Sequence, residues 1–131
     1  SDISSIFCFY TQYIYDSIHL IKYLSKNMTR NNFVTMGQIY KTVIDRERNF
    51  EYNGEDVEAI PHVTDEIISR IVGAGEKDDA EIVVVELGGT AGEYQNILFY
   101  EASRIMTLNK KKNKVVHIHV SLSPRTGLPN Y

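Results

Sequence analysis

The run Glu81-Ile82-Val83-Val84-Val85-Glu86-Leu87 constrains the fold more strongly than any other part of the sequence. A continuous series of β-branched residues is typical of a strand that is covered on both faces. The glycine turn, defined as Gly88 to Gly92, follows this strand and leads into a helical pattern through Ile97, Leu98, Tyr100, Ala102 and Ile105. Lys114 to Leu122 has the composition of a second buried strand. This alternation predicts an α/β protein with a parallel sheet and helices on both faces.

The N-terminal half contains two further periodic segments. Thr35 to Arg48 predicts a helix that places Ile39, Val43 and Ile44 on one face. Apolar residues recur at intervals of three and four from Ser4 to Leu24, which favours a helix. The aromatic and β-branched residues near the start of that segment would equally suit a strand, so both possibilities stay open there.

A short strand and a helix are predicted between these regions. Val57 to Ile60 has strand composition and is stopped by Pro61. Thr64 is a candidate N-cap, and the two acids after it would lie in the first turn of a helix, where the helix dipole favours them. We expect that helix to end at Gly73 and Gly75.

Composition narrows the class of protein. The chain has 131 residues and a formal net charge of −3, which is the size of one domain and argues against a nucleic-acid-binding protein. The triplet Lys110-Lys111-Lys112 reads as a solvated loop or helix end. The single cysteine, Cys8, excludes an internal disulfide and fits a reducing compartment. Ile3 to Tyr15 is too short to span a membrane and lacks the features of a secretory signal, so we expect a cytoplasmic location.

Glu86 is the first candidate site residue. It lies at the carboxyl end of an otherwise apolar strand, where open α/β sheets bind their ligands. A carboxylate there suits a magnesium ion beside nucleotide phosphates, because hard cations take oxygen ligands. The alternative is that Glu86 caps the next helix or is simply exposed at the rim of the sheet. The glycine turn after it lacks the lysine and hydroxyl of a Walker A loop.

Several blocks of the sequence together carry a resemblance to a known family. They are Asn27-Met28-Thr29-Arg30, Thr35 to Arg48, Ile60-Pro61-His62-Val63-Thr64-Asp65-Glu66-Ile67, Val85 to Gly92 and His117 to Pro124. In this order the blocks resemble CTP synthases, and the resemblance covers Asp16 to about Pro124, which leaves residues 1–15 as a divergent N-terminal segment of a single partial domain. The resemblance implies a truncated, P-loop NTPase-like synthetase domain, a ligase of pyrimidine nucleotide biosynthesis.

CTP synthases use ATP to phosphorylate O4 of UTP, and ammonia from a glutaminase domain then displaces the phosphate. The resemblance implies that Glu86 matches one magnesium-binding carboxylate of the family. The family's Asp-Leu-Gly-His-Tyr-Glu-Arg-Phe segment aligns with Asp16 to Tyr23, so Asp16 would be the second metal ligand and would lie in the nucleotide site. A two-carboxylate site can hold the Mg²⁺ that bridges the phosphates of ATP. The alternative for Asp16 is a solvated aspartate on a helix surface.

The resemblance also implies a pyrimidine site. The family binds CTP as a feedback inhibitor through a Gly-Asp-Ile-Glu segment, and Gly92-Glu93-Tyr94-Gln95 stands here instead, which puts CTP binding in doubt because Gln95 carries no charge. His62, Glu101 and Arg104 are retained at positions near the family's pyrimidine pocket. Glu101 and Arg104, three apart on a helix, could equally pair with each other.

Other family features are missing from the sequence. The family begins with a strand and a glycine-rich loop whose lysine holds the ATP phosphates, and we expect no such unit in Ser1 to Tyr15. The 131 residues contain neither the Lys-Thr-Lys-Pro-Thr-Gln segment that holds UTP nor the glutaminase domain with its cysteine nucleophile. We therefore expect no catalytic residue and no CTP synthesis by the isolated chain. It is either a segment of CTP synthase or a non-catalytic paralogue that acts as a binding or oligomer-assembly module, and a homo-oligomer is expected from the family.

Overall fold

The structure is a computed structural model that describes residues 5–9, 30–89, 91–109 and 114–121. Three strands form a parallel sheet in the order β2-β1-β3. Strand β1 is Ser5–Phe9, β2 is Phe33–Val34 and β3 is Val83–Leu87. β1 is central because its residues pair with β2 on one side and with β3 on the other. The fold is therefore α/β, as the sequence predicts.

Three helices accompany this sheet in the described part of the chain. Helix α1 is Met36–Arg48, α2 is Thr64–Lys77 and α3 is Ile97–Leu108. Short helical turns precede them at Arg30–Asn32, Ala59–Val63 and Tyr94–Asn96. Helix α2 packs against β1, β3, α1 and α3, so it connects the sheet with the other two helices.

Apolar residues from all three helices form the core. Ile39 and Val43 of α1 are buried, as the predicted face requires, and so are Ile67 of α2 and Phe99 of α3. Ile44 was placed on the same face as Ile39 and Val43, but its side chain is 54% exposed. The helix turns by 100° per residue, so a residue directly after Val43 points away from the packed stripe.

The prediction for the N-terminal segment needs correction. Ser5–Phe9 is a strand, so the strand alternative holds there and a helix from Ser4 is wrong. The expectation that Ser1 to Tyr15 lacks the family's strand and glycine-rich loop stays a prediction for the loop, because residues 10–15 lie outside the described residues. The aromatic and β-branched residues of Ile6–Phe9 suit a central strand whose backbone is hydrogen-bonded on both sides. The rest of the predicted Ser4–Leu24 segment lies outside the described residues.

Two other predicted strands are absent from the described residues. Val57–Ile60 leads into the helical turn Ala59–Val63, and the Glu58 amide donates to His62 Nδ1 (3.1 Å) within this segment. Residues 114–121 have no regular structure, and Val116, Ile118 and Val120 are each more than 80% exposed. A strand needs a paired neighbour, and none of the described strands pairs with this segment.

Helix α2 differs from its prediction at both ends. The Thr64 hydroxyl donates to the Pro61 carbonyl (2.9 Å) instead of capping the helix, because the turn before it already satisfies the first amides. Gly73 and Gly75 lie inside the helix, which continues to Lys77. A Cβ atom built on Gly75 would lie 2.8 Å from Val83 Cγ2, so this glycine lets α2 approach β3 closely.

Candidate functional site

The carboxyl ends of the three parallel strands meet at one edge of the sheet. Phe9 is in register with Val34 of β2 and with Leu87 of β3. The glycine turn begins directly after Leu87, and α1 begins directly after β2 and Thr35, so both leave the sheet from this edge. Ligands of open α/β sheets bind at such an edge. We therefore take it as the candidate site.

Glu86 lies on β3 at this edge and is in register with Cys8 of the central strand. Its side chain is half-buried and engages another group of the protein. Asp16, the other predicted metal ligand, lies outside the described residues. The structure thus places one of the two carboxylates at the sheet edge and gives no separation between them.

The glycine turn is closed by contacts between its two ends. Gly89 has a φ of +87°, a conformation that favours glycine, and a Cβ atom built on it would lie 2.7 Å from Glu93 Oε1. The Glu93 carboxylate therefore lies directly over Gly89. Asn96 Nδ2 donates to the Gly88 carbonyl oxygen (2.9 Å), and the Asn96 amide donates to the Glu93 carbonyl oxygen (3.1 Å).

The other residues of the predicted feedback segment lie on the turn Tyr94–Asn96. The Tyr94 side chain is 87% exposed, which leaves its ring accessible. The Gln95 backbone belongs to this turn, while its side chain lies outside the described structure. Glu93, Tyr94 and Gln95 therefore directly follow the glycine turn.

His62 is held in one orientation by two contacts. Its Nδ1 accepts a hydrogen bond from the Glu58 amide (3.1 Å), and its ring packs edge-to-face against Tyr52 with a centroid separation of 4.7 Å. A neutral imidazole that accepts at Nδ1 carries its proton at Nε2. His62 is thus set up as a hydrogen-bond donor through Nε2.

Glu101 and Arg104 form a two-pronged ion pair on α3. Arg104 Nε and Nη2 donate to the two Glu101 carboxylate oxygens, each over 2.7 Å. These hydrogen bonds lower the pKa of the Glu101 carboxyl and raise the pKa of the Arg104 guanidinium. The pairing that their spacing predicts is therefore present, and their place in a pyrimidine pocket stays a prediction.

The sequence interpretation missed the role of Glu66. Its side chain is only 4% exposed, and it accepts hydrogen bonds from Arg46 Nη1 of α1 (2.7 Å) and from Arg70 Nε of its own helix (2.6 Å). Arg70 Nη2 also donates to the Thr42 hydroxyl (2.7 Å), which gives a second polar link to α1. Burial alone would lower the pKa of Arg46, but the charge of Glu66 and the hydroxyl of Tyr52 outweigh it and raise that pKa.

Asn96 was also missed. Its side chain is 2% exposed, although asparagine is usually found at the surface. Its position directly before α3 was the available signal, because asparagine is favoured at helix N-termini.

The described residues contain neither a metal-binding cluster of three acidic, histidine or cysteine side chains nor a membrane-spanning helix. Within residues 5–9, 30–89, 91–109 and 114–121, no three His, Cys, Asp or Glu side chains are grouped so that they could hold a metal ion. None of the helices in that part of the chain is both long and apolar enough to cross a membrane.

The protein is therefore an α/β protein. Its candidate site consists of the Glu86 carboxylate and the glycine turn, which lie at the carboxyl edge of the parallel sheet. Residues 15–129 match the family described as CTP synthase N-terminus. The chain therefore belongs to the CTP synthase family.

Individual relatives agree with this assignment. The chain is 45% identical over 106 residues to a CTP synthase of Aeropyrum pernix, covering 81% of this chain and 20% of the relative. It is 41% identical over 109 residues to a CTP synthase of Roseiflexus castenholzii, covering 83% and 20%, and 41% identical over 106 residues to one of Thermus thermophilus, covering 81% and 19%. The chain spans about a fifth of the length of these curated relatives.

Proposed function

We propose that this chain contributes part of the synthetase site of a CTP synthase, the enzyme that aminates UTP to CTP at the expense of ATP. The observation that carries this proposal is the position of Glu86. It lies on β3 at the carboxyl edge of the parallel sheet, within the region that matches the family. In this proposal the fold is a partial P-loop NTPase-like domain that has helices on both faces of its sheet.

The metal site would be formed by Asp16 and Glu86. Glu86 fits this role because it is half-buried at the sheet edge, and Mg²⁺ is usually held by one or two carboxylates together with water and phosphate oxygens. When bound, the ion would neutralise charge on the ATP phosphates. The chain's own contribution is to hold the Glu86 carboxylate at the end of a strand, where its backbone is fixed by the sheet.

The pyrimidine would be held by groups that the structure orients separately. His62 would donate from Nε2, because Nδ1 is engaged by the Glu58 amide. The ion pair keeps Glu101 in its charged form and fixes Arg104 beside it. Glu93, Tyr94 and Gln95 would face the sugar or base, with weaker CTP binding than in the family because Gln95 replaces an acid.

The isolated chain is proposed to be inactive. The residues after β1, from Tyr10 to Ile21, contain neither glycine nor lysine, so they cannot form a glycine-rich phosphate loop with its lysine. Phosphoryl transfer depends on positioning and on charge stabilisation, and both would be lost with that loop. The whole reaction would need groups beyond these 131 residues.

Incubation of the chain with UTP, ATP, Mg²⁺ and ammonia tests this proposal. We expect no CTP, whereas MgATP should raise the thermal midpoint of the wild-type chain and not that of Glu86→Ala. Measurable CTP would refute the inactive state. No shift at millimolar MgATP, or an identical shift in Glu86→Ala and in the wild type, would reject the site.

A second candidate function is a non-catalytic binding or assembly module. Exposed apolar residues favour it, because Ile97, Tyr100 and Leu108 form a stripe on the outer face of α3 and are 41% to 65% exposed. Such a stripe suits packing against another subunit, and the family is expected to be oligomeric. Sedimentation of the wild-type chain and of Ile97→Glu distinguishes the two functions. An oligomer that Ile97→Glu dissociates, without any response to MgATP, would favour the module, as would a reading frame confined to this chain.

A further inference from the structure

Asn96 has a structural position that neither the family match nor the predicted site explains. Its side chain is among the largest fully buried ones of the described residues, and it is polar. A buried amide is unfavourable unless it is hydrogen-bonded, and Asn96 Nδ2 meets this need by donating to the Gly88 carbonyl oxygen over 2.9 Å. The hydrogen bond spans the entire glycine turn.

The backbone of the same residue fixes the other end of the turn. The Asn96 amide donates to the Glu93 carbonyl oxygen over 3.1 Å. One residue therefore connects the first residue after β3 with the residue that follows Gly92. Loops closed at both ends by a buried group lose little further entropy when a ligand orders them.

Glu93 adds a third constraint. Its carboxylate lies where a side chain on Gly89 would be, so Glu93 covers the backbone of Gly89. Glu86 on β3 and Glu93 directly before the turn Tyr94–Asn96 lie on either side of the glycine turn in the sequence. Both acids are candidates for the nucleotide site.

We propose that Asn96 is a positioning residue that holds the glycine turn, and with it Glu86 and Glu93, in a binding-competent arrangement. The functional role of Asn96 rests on the proposed nucleotide site. Its effect on the rigidity of the glycine turn can be measured without any ligand. Asn96 would act through the Gly88 carbonyl oxygen, to which its side chain donates. An amide is required because the donor must reach a carbonyl: an aspartate of the same shape would place an oxygen against an oxygen.

Thr64 supplies a matched control. Its side chain is fully buried, and its hydroxyl also donates to a backbone carbonyl, that of Pro61, over 2.9 Å. Thr64→Ala should therefore lower overall stability much as Asn96→Ala does, because each removes one buried hydrogen bond. Only Asn96→Ala should alter the glycine turn.

The experiment is ¹⁵N relaxation by NMR on the ligand-free wild type, Asn96→Ala, Asn96→Asp and Thr64→Ala, at a temperature where all four are folded. Order parameters of the Gly88, Gly89 and Gly92 amides should fall from about 0.85 to below about 0.6 in both Asn96 variants and stay at the wild-type value in Thr64→Ala. The wild type should also show a through-hydrogen-bond coupling between the Asn96 side-chain nitrogen and the Gly88 carbonyl carbon.

A turn that stays rigid in both Asn96 variants, or that loosens equally in Thr64→Ala, would overturn the inference. The shift of the thermal midpoint with MgATP, measured on the same proteins, tests the nucleotide site separately. If the wild type does not respond to MgATP, the proposed nucleotide site fails, and the order parameters still decide whether Asn96 holds the turn. If the wild type responds, the Asn96 variants should bind MgATP up to about tenfold more weakly, because the ligand must then order a turn that the lost hydrogen bond no longer holds.

Discussion

Arg46 of α1 and Glu66 of α2 are joined by a hydrogen-bonded ion pair of 2.7 Å, although they lie 20 residues apart in the chain. Glu66 is almost fully buried, whereas the Arg46 side chain is 41% exposed. A second guanidinium, that of Arg70, approaches the other carboxylate oxygen. The two helices that precede the candidate site are therefore linked through one buried carboxylate.

Replacing Glu66 with glutamine should lower the free energy of unfolding by about 2–3 kcal/mol. The variant removes the buried counter-charge of two guanidinium groups, and the partial exposure of Arg46 and its second partner, Glu51 (3.7 Å), limit the loss. Urea denaturation measures the change. Asp45→Asn is the control, because its pair with Lys41 is exposed and should be worth less than about 0.5 kcal/mol. Equal effects of the two variants would contradict a structural role for the buried pair.

Gly73 and Gly75 should respond in opposite directions to alanine. A Cβ atom on Gly75 would meet Val83 Cγ2 at 2.8 Å, so Gly75→Ala should destabilise the protein by about 1–3 kcal/mol through overpacking. Gly73 is exposed, and outside its chain neighbours and its own helix backbone no atom of the described residues lies within 4 Å of a built Cβ, so Gly73→Ala should stabilise α2 by about 0.5–1 kcal/mol. Thermal unfolding of both variants checks the signs. Stabilisation by Gly75→Ala would show that α2 does not pack on β3 as described.

The Glu101 carboxyl should titrate at a lower pH than an ordinary glutamate. Hydrogen bonds from Arg104 lower its pKa in the folded state, so the pair's contribution to stability is present above the pKa of the unfolded chain. That contribution is lost as the pH falls through the lowered folded value. Carboxyl ¹³C NMR follows the titration directly. In Arg104→Gln the midpoint should return to the ordinary glutamate range, and an unchanged midpoint would contradict the pairing.

Local patterns predicted the elements that depend on local physics. Thr35 to Arg48 contains both the apolar stripe and a capping box, in which the Thr35 hydroxyl accepts from the Gln38 amide and the Gln38 side chain accepts from the Thr35 amide. Strand β3 was equally predictable, because a β-branched run beside a glycine turn has few alternatives. The Glu101–Arg104 pair followed from helical spacing.

Features that depend on distant partners could not be predicted in this way. β1 is a strand because β2 and β3 flank it, and its sequence alone fits a helix as well. The sequence indicates only that Glu66 is an acid in the first turn of a helix, where the helix dipole favours it. Its burial depends on Arg46, which lies on another helix. Asn96 was overlooked because its partner, the Gly88 carbonyl, is a backbone group and leaves no trace in the sequence.

The proposed synthetase site depends most directly on whether Asp16 and Glu86 bind one metal ion, which can be measured with Mn²⁺ as a paramagnetic substitute for Mg²⁺, since both prefer oxygen ligands. We predict that Mn²⁺ broadens the NMR amide signals of residues 86–89 selectively in the wild type and in Glu47→Gln, whose exposed carboxylate lies on α1. Broadening should disappear in Asp16→Asn and in Glu86→Gln alike. No selective broadening in the wild type, or broadening that survives either of those two substitutions, would contradict the shared metal site.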